Sequence, residues 1–81
     1  MRVKVFITPK RGILDPQGRA VEQSLRSLGF DRVAQVRVGK YVVLELDAAS
    51  PAEAEAAVTR MCEQLLANTV IEDYRFELER E

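Results

Sequence analysis

The chain has 81 residues, 47% of them hydrophobic and 31% charged, with a formal net charge of −1 and a pI near 5.5. That length holds one domain, residues 1–81, of a size that buries roughly 60–65% of its unfolded surface, so self-association would add stability. The charge balance argues against nucleic-acid binding, no apolar run could span a membrane, a lone Cys62 excludes an internal disulfide, and the lack of histidine closes off catalytic triads and most zinc sites.

The first strand is written in Val3, Val5 and Ile7, which alternate with Arg2, Lys4 and Thr8 and stop at Pro9. This opening stretch lacks a signal-peptide core, so the expected compartment is the cytoplasm. Lys10, Arg11 and Gly12 follow. Basic side chains beside a helix start could bind a phosphate, but Asp15 fills the cap with its own negative charge and argues against it. Asp15 is a cap able to accept from the N–H of Gln17 or Gly18. Pro16 sits at the first helical position, where its missing N–H costs nothing. Gly18 in that first turn costs roughly 0.5–1 kcal/mol relative to alanine, which leaves two explanations, chance or the close approach of another backbone or a ligand. The helix runs to about Leu28 with an apolar stripe of Val21, Leu25 and Leu28, and Gly29 stops it.

Two further alternating runs follow, Ala34-Val36-Val38 and Val42-Leu44-Leu46. Gly39-Lys40 between them suits a type II′ hairpin. Ser50-Pro51-Ala52-Glu53 is a capping box. Behind it Ala54, Val58, Met61 and Leu65 form the stripe of a second helix, with Asn68 as a left-handed C-cap. The last strand spans Val70 to Leu78, with Tyr74, Phe76 and Leu78 on one face.

The order β-α-β-β-α-β implies an α+β fold: a four-stranded antiparallel sheet with both helices on one face, the ferredoxin-like arrangement. The bare face would then carry Phe6, Tyr41 and Val43, an apolar group that predicts a homo-oligomer joined through the sheet. No catalytic constellation emerges. Cys62 lies beside the second stripe as a small core residue. Glu53/Glu55 suit a helix N-terminus, and Glu72/Asp73 a solvated strand start.

Lys10–Gly18, Arg37–Lys40 and Leu65–Tyr74 together resemble the PurS family, the small subunit of multi-subunit phosphoribosylformylglycinamidine synthase. The similarity runs from Val3 to about Leu78. Arg11 and Thr69 stand where the family often has proline. The resemblance implies a non-catalytic subunit in de novo purine biosynthesis, itself a dimer or tetramer. It would bridge a glutamine amidotransferase subunit and a large synthetase subunit and support ammonia transfer between them. No cofactor or metal would be bound by this chain; ATP and magnesium would be used by the large subunit. The partner-facing residues would be Asp15, Gln17 and Gly18 at the first helix, Arg37, Gly39 and Lys40 at the hairpin, and Asn68 and Glu72 before the last strand. Phe6, Tyr41 and Val43 would join like subunits. The same topology also serves amino-acid- or metabolite-sensing regulatory domains. A small acylphosphatase-like hydrolase would need an arginine–asparagine pair, for which Arg11 and Asn68 are the candidates.

Overall fold

Val3, Val5 and Ile7 are fully buried in the computed structural model, which describes residues 1–80. They belong to β1 (Arg2–Pro9), the centre of a three-stranded sheet. β2 (Lys40–Glu45) and β3 (Glu72–Glu79) flank it, both antiparallel, in the order β2-β1-β3. Phe6 stands opposite Tyr41 on one side and Arg75 on the other, so the alternation read from each strand sets the register. The core lies on the opposite face. Val3, Val5, Ile7, Val58, Cys62 and Ala67 form it, with Val42, Leu44, Leu46, Tyr74, Phe76 and Leu78 packed partly buried around them. Each wholly buried Val or Ile side chain contributes about 1.5–3 kcal/mol.

The expected fourth strand does not form. Residues 34–38 run without regular structure, and Lys40–Glu45 alone fills the place of the predicted pair beside β1. The cause is local: the Val38 N–H donates to Asp15 Oδ2 at 3.0 Å, Arg37 donates to the Pro9 carbonyl at 2.9 Å, and the Val36 carbonyl lies against Gly18. The Val38 N–H that a ladder would need is thus held by the cap of the first helix, and the Val36 carbonyl is turned toward that helix. The type II′ hairpin is absent too, because Gly39 has no positive φ. Gly39 serves close approach: a Cβ there would be driven into the carbonyl of Ile7.

Both helix starts form as written. In α1 (Pro16–Ser27), Asp15 Oδ1 accepts from the Gly18 N–H at 2.9 Å. In α2 (Pro51–Met61), Ser50 Oγ accepts from Glu53 N–H at 3.1 Å, while the Glu53 carboxylate reaches back one residue past the cap, to Ala49 N–H. Gly29 ends the first helix in the left-handed region at φ +101°. Asn68 does not play that part, since no described non-glycine residue has positive φ. It makes a side-chain turn instead, Oδ1 accepting from Val70 N–H.

α2 continues into a π-helical turn, Cys62–Leu66. The wider turn rotates the faces that follow. Of the stripe, Ala54 and Val58 are buried, as is Cys62 beside it, while Met61 is half-buried and Leu65 is swung outward to 83% exposure. Asn68, Ile71 and Glu72 then close a tight loop into β3 through the Asn68 carbonyl, which accepts from both following N–H groups.

α1 departs furthest from expectation. Of the pair predicted to lie on the sheet, only α2 packs there. The sole buried residue of α1 is Gly18, and the stripe has Leu28 at 73% exposure. The radius of gyration is 16.0 Å, against about 12 Å for a compact chain of this length. The molecule measures 50 × 28 × 14 Å, so α1 and the segment behind it form an arm projecting from the sheet.

Candidate functional site

The motif residues meet at one place, the junction where the arm leaves the sheet. Asp15 is its centre. One carboxylate oxygen caps α1 and the other takes the Val38 N–H, so a single side chain ties the helix start to the returning strand. Those two donors, Gly18 first and Val38 second, hold the Asp15 carboxyl below the usual carboxylate range, with the Arg37 charge assisting and partial burial opposing. Gly18 leaves room for the Val36 carbonyl. Within this chain, the neighbour that requires the glycine is its own backbone.

The other half of the junction is knit by charge. Lys40 Nζ donates to the Leu66 carbonyl at 3.1 Å and stands 3.7 Å from Glu72. Glu72 also accepts from the Asn68 N–H at 2.8 Å. Lys10 pairs with Asp73 at 2.9 Å, and its own N–H bonds the Ile71 carbonyl. Of the eight residues expected to face partners, Asp15, Gly18, Arg37, Gly39, Lys40, Asn68 and Glu72 thus bind this chain to itself, and Gln17 is left exposed on the first turn of α1. Lowering the pH should expose Asp15's share of this stability. A carboxylate with a depressed folded-state pKa stabilises above its unfolded pKa, about 4. That contribution disappears as the pH falls through the lower folded value. Thermal melts from pH 7 to pH 2 should show a steeper acid loss in the natural chain than in Asp15→Asn, whose Tm starts several degrees lower. Parallel curves would mean that the carboxylate is not held as the geometry has it.

The second group gathers on the bare sheet face. Phe6 and Tyr41 stack with ring centroids 5.1 Å apart, and the Arg75 guanidinium lies 4.0 Å over the Phe6 ring. Val43 is in the adjoining row, opposite Lys4. The rest of this face is charged, with Lys4 bound to Glu79 at 2.6 Å and Arg75 to Glu77 at 3.1 Å. The apolar cluster is real but small.

The exposed apolar surface that sequence reasoning missed lies elsewhere. Leu28 and Phe30 flank Gly29 at the arm's tip, and Leu14, Leu65 and Val70 stand out at the junction end. An apolar pair around a helix-stopping glycine was the available signal for the first group. For the second there was none, because Leu65 faces outward only through the π turn.

Burial pushes the Cys62 thiol up, and Glu63 beside it adds to the shift, so the sulfur is held as an inert thiol. Burial likewise raises Tyr74, whose hydroxyl donates to Glu63 at 3.3 Å. Among the described residues no group of His, Cys, Asp and Glu is placed to hold a metal ion, and no helix is long and apolar enough to cross a membrane.

The family model PurS, phosphoribosylformylglycinamidine (FGAM) synthase, matches residues 2–80. The phosphoribosylformylglycinamidine synthase subunit PurS of Synechocystis is 49% identical over 75 residues, spanning 93% of this chain and 75% of the relative. The structure of Bacillus subtilis PurS superimposes with a TM-score of 0.86 at 48% identity over 98% of both chains. A chain in the structure of PurLQS from Thermotoga maritima gives 0.86 at 30% identity, covering 94% of this chain and 93% of that one. A buried thiol, an arm without a sheet to lie on and a junction tied by its own motif residues thus sit on a fold shared along nearly the whole length with these proteins, and the chain belongs to the PurS family of phosphoribosylformylglycinamidine synthase subunits.

Proposed function

We propose that this chain is the non-catalytic bridging subunit of a phosphoribosylformylglycinamidine synthase, a cytoplasmic ligase complex of purine biosynthesis. It joins a glutamine amidotransferase subunit to the large synthetase subunit and supports ammonia transfer between them. ATP and magnesium belong to the large subunit. The observation that carries this reading is the likeness, over 94% of the chain, to a chain within a PurLQS structure. The absence of histidine and the inert setting of Cys62 fit a subunit that positions others. Ammonia protonates in bulk water, so its transfer needs contact between subunits, and rigid, capped helix ends suit that role.

The chain also associates with itself in this reading, as a dimer or tetramer. α1 is a helix without a sheet, and Val42 and Leu44 of β2, with Leu46 just beyond it, pack on the core yet remain only half-buried. A second copy lays its α1 on that half-buried row and receives the same in return, in an isologous exchange. The Phe6, Tyr41 and Val43 cluster offers a separate contact on the opposite face. Around the junction, Gln17 and the exposed Leu14, Leu65 and Val70 present themselves to the unlike subunits.

Reconstitution tests the bridge. The two larger subunits are assayed with and without this chain, using glutamine or free ammonia as nitrogen donor. Loss of the glutamine reaction alone, on omitting the chain, is expected. Equal glutamine activity without it would remove the bridging role.

A further inference from the structure

A cleft of about 520 Å³ opens beside the junction, within the size range of small-molecule sites. Three arginines from three separate segments line it: Arg11 from the loop after β1, Arg19 from the first turn of α1, and Arg37 from the segment before β2. Asp15, Glu22 and Gln35 complete its polar wall. The two acids are already engaged. Both oxygens of Asp15 accept backbone N–H groups, and Glu22 stands 3.7 Å from Arg26. The arginines are largely unspent. Arg37 gives one Nη1 donor to the Pro9 carbonyl and keeps the remainder of its fork. Arg11 and Arg19 have no side-chain partner among the described residues.

We propose that this cleft is an oxyanion site for a phosphate monoester, held by the guanidinium groups of Arg11, Arg19 and Arg37. Guanidinium forks pair with phosphate oxygens two at a time. A doubly charged phosphate offers enough oxygens for several forks, where a single carboxylate is saturated by one. The helix end itself supplies little, because Asp15 already fills the cap. The arginines carry the site, and Gln35 adds an amide donor. Rigidity comes from the same contacts that build the junction: the Asp15 tie and the Gly18–Val36 approach hold α1 and the returning segment at a set distance. The site stands on these residues alone and does not depend on the bridging role.

The test uses the full chain, isotope-labelled, at low ionic strength. Inorganic phosphate and ribose 5-phosphate are titrated separately while the amide resonances of Gly12, Gly18 and Gln35 are followed. Saturable shifts in the millimolar range are expected with both probes, weaker at pH 5 than at pH 7.5 because the second phosphate ionisation lies near 6. Tighter binding of the sugar phosphate would assign the site to a metabolite; equal binding would assign it to phosphate itself. Arg11→Gln and Arg19→Gln should each weaken binding about tenfold. Both are exposed and leave the junction bonds intact. Arg60→Gln, on α2 and away from the cleft, should leave binding unchanged. Shifts that fail to saturate, or that fall as much in Arg60→Gln as in Arg19→Gln, would overturn the proposal. So would displacement of phosphate by a glutamate-rich peptide at lower concentration, which would mark the cleft as a seat for an acidic protein segment.

Discussion

Gly39→Ala is expected to lower the melting temperature by about 10 °C or more. The added methyl would be driven into the Ile7 carbonyl, with the Ile7 carbonyl carbon and Thr8 Cα also crowded at 3.1 and 3.2 Å. Ile7 is fully buried in the central strand, so β1 cannot yield without opening the core. A circular-dichroism melt reads the effect. Gly18→Ala should fall in the same direction, since its Cβ would enter the Val36 carbonyl and crowd Asp15. It should lose less, because the segment it pushes is outside the sheet. Gly29→Ala is the control: it has open space and a positive φ, so its cost is the left-handed backbone alone, about 1–2 kcal/mol. If Gly39→Ala melted with the natural chain, the contact between these two backbones would carry none of the stability assigned to it.

The second large effect concerns the arm. On the self-association proposed above, replacing Val21 and Leu25 together by Asp should yield a monomer where the natural chain sediments as a dimer or tetramer, read at micromolar concentration. Both residues lie on the stripe and neither belongs to the buried core of the single chain. The sheet and α2 should therefore persist, seen as retained β signal and a cooperative melt. Phe6→Lys on the bare face separates the two candidate contacts. If the arm variant kept its full mass while Phe6→Lys dissociated the protein, the open sheet face and not the arm would join the copies.

These expectations rest on parts of the molecule that were legible to different degrees. Val3, Val5 and Ile7 and the Tyr74-Phe76-Leu78 face could be read directly, because period-2 alternation beside a buried face leaves one register. Both N-caps could be read because Asp15-Pro16 and Ser50-Pro51 are local chemistry, complete within four residues. Ala34-Val36-Val38 alternates just as well and is no strand. Alternation shows that a segment can pair, and pairing also needs free backbone groups. Here Asp15's second oxygen takes the Val38 N–H from 23 positions away. Close approach was one of two readings of Gly18, and a lone glycine does not say whose backbone comes near. Leu65 failed for another reason: the period of 3.6 was applied through a turn that is wider. The site shared this fate. Arg11 and Arg37 stand out in the sequence, while Arg19 carries no signal there, because only the folded junction brings it beside them.

α1 is a helix of 12 residues and has almost nothing of its own chain beneath it. Helices of that length are marginal in water even with good caps, and most draw their stability from the surface they cover. With a second copy or a partner covering it, as proposed above, the helical state of the arm would be tied by mass action to how many of them are present. Dilution should loosen the arm while the sheet stays intact, and assembly should restore it. The cell would then set the shape of this subunit through the amount of it that is made, and an excess copy left alone would be the one with a frayed, protease-accessible arm.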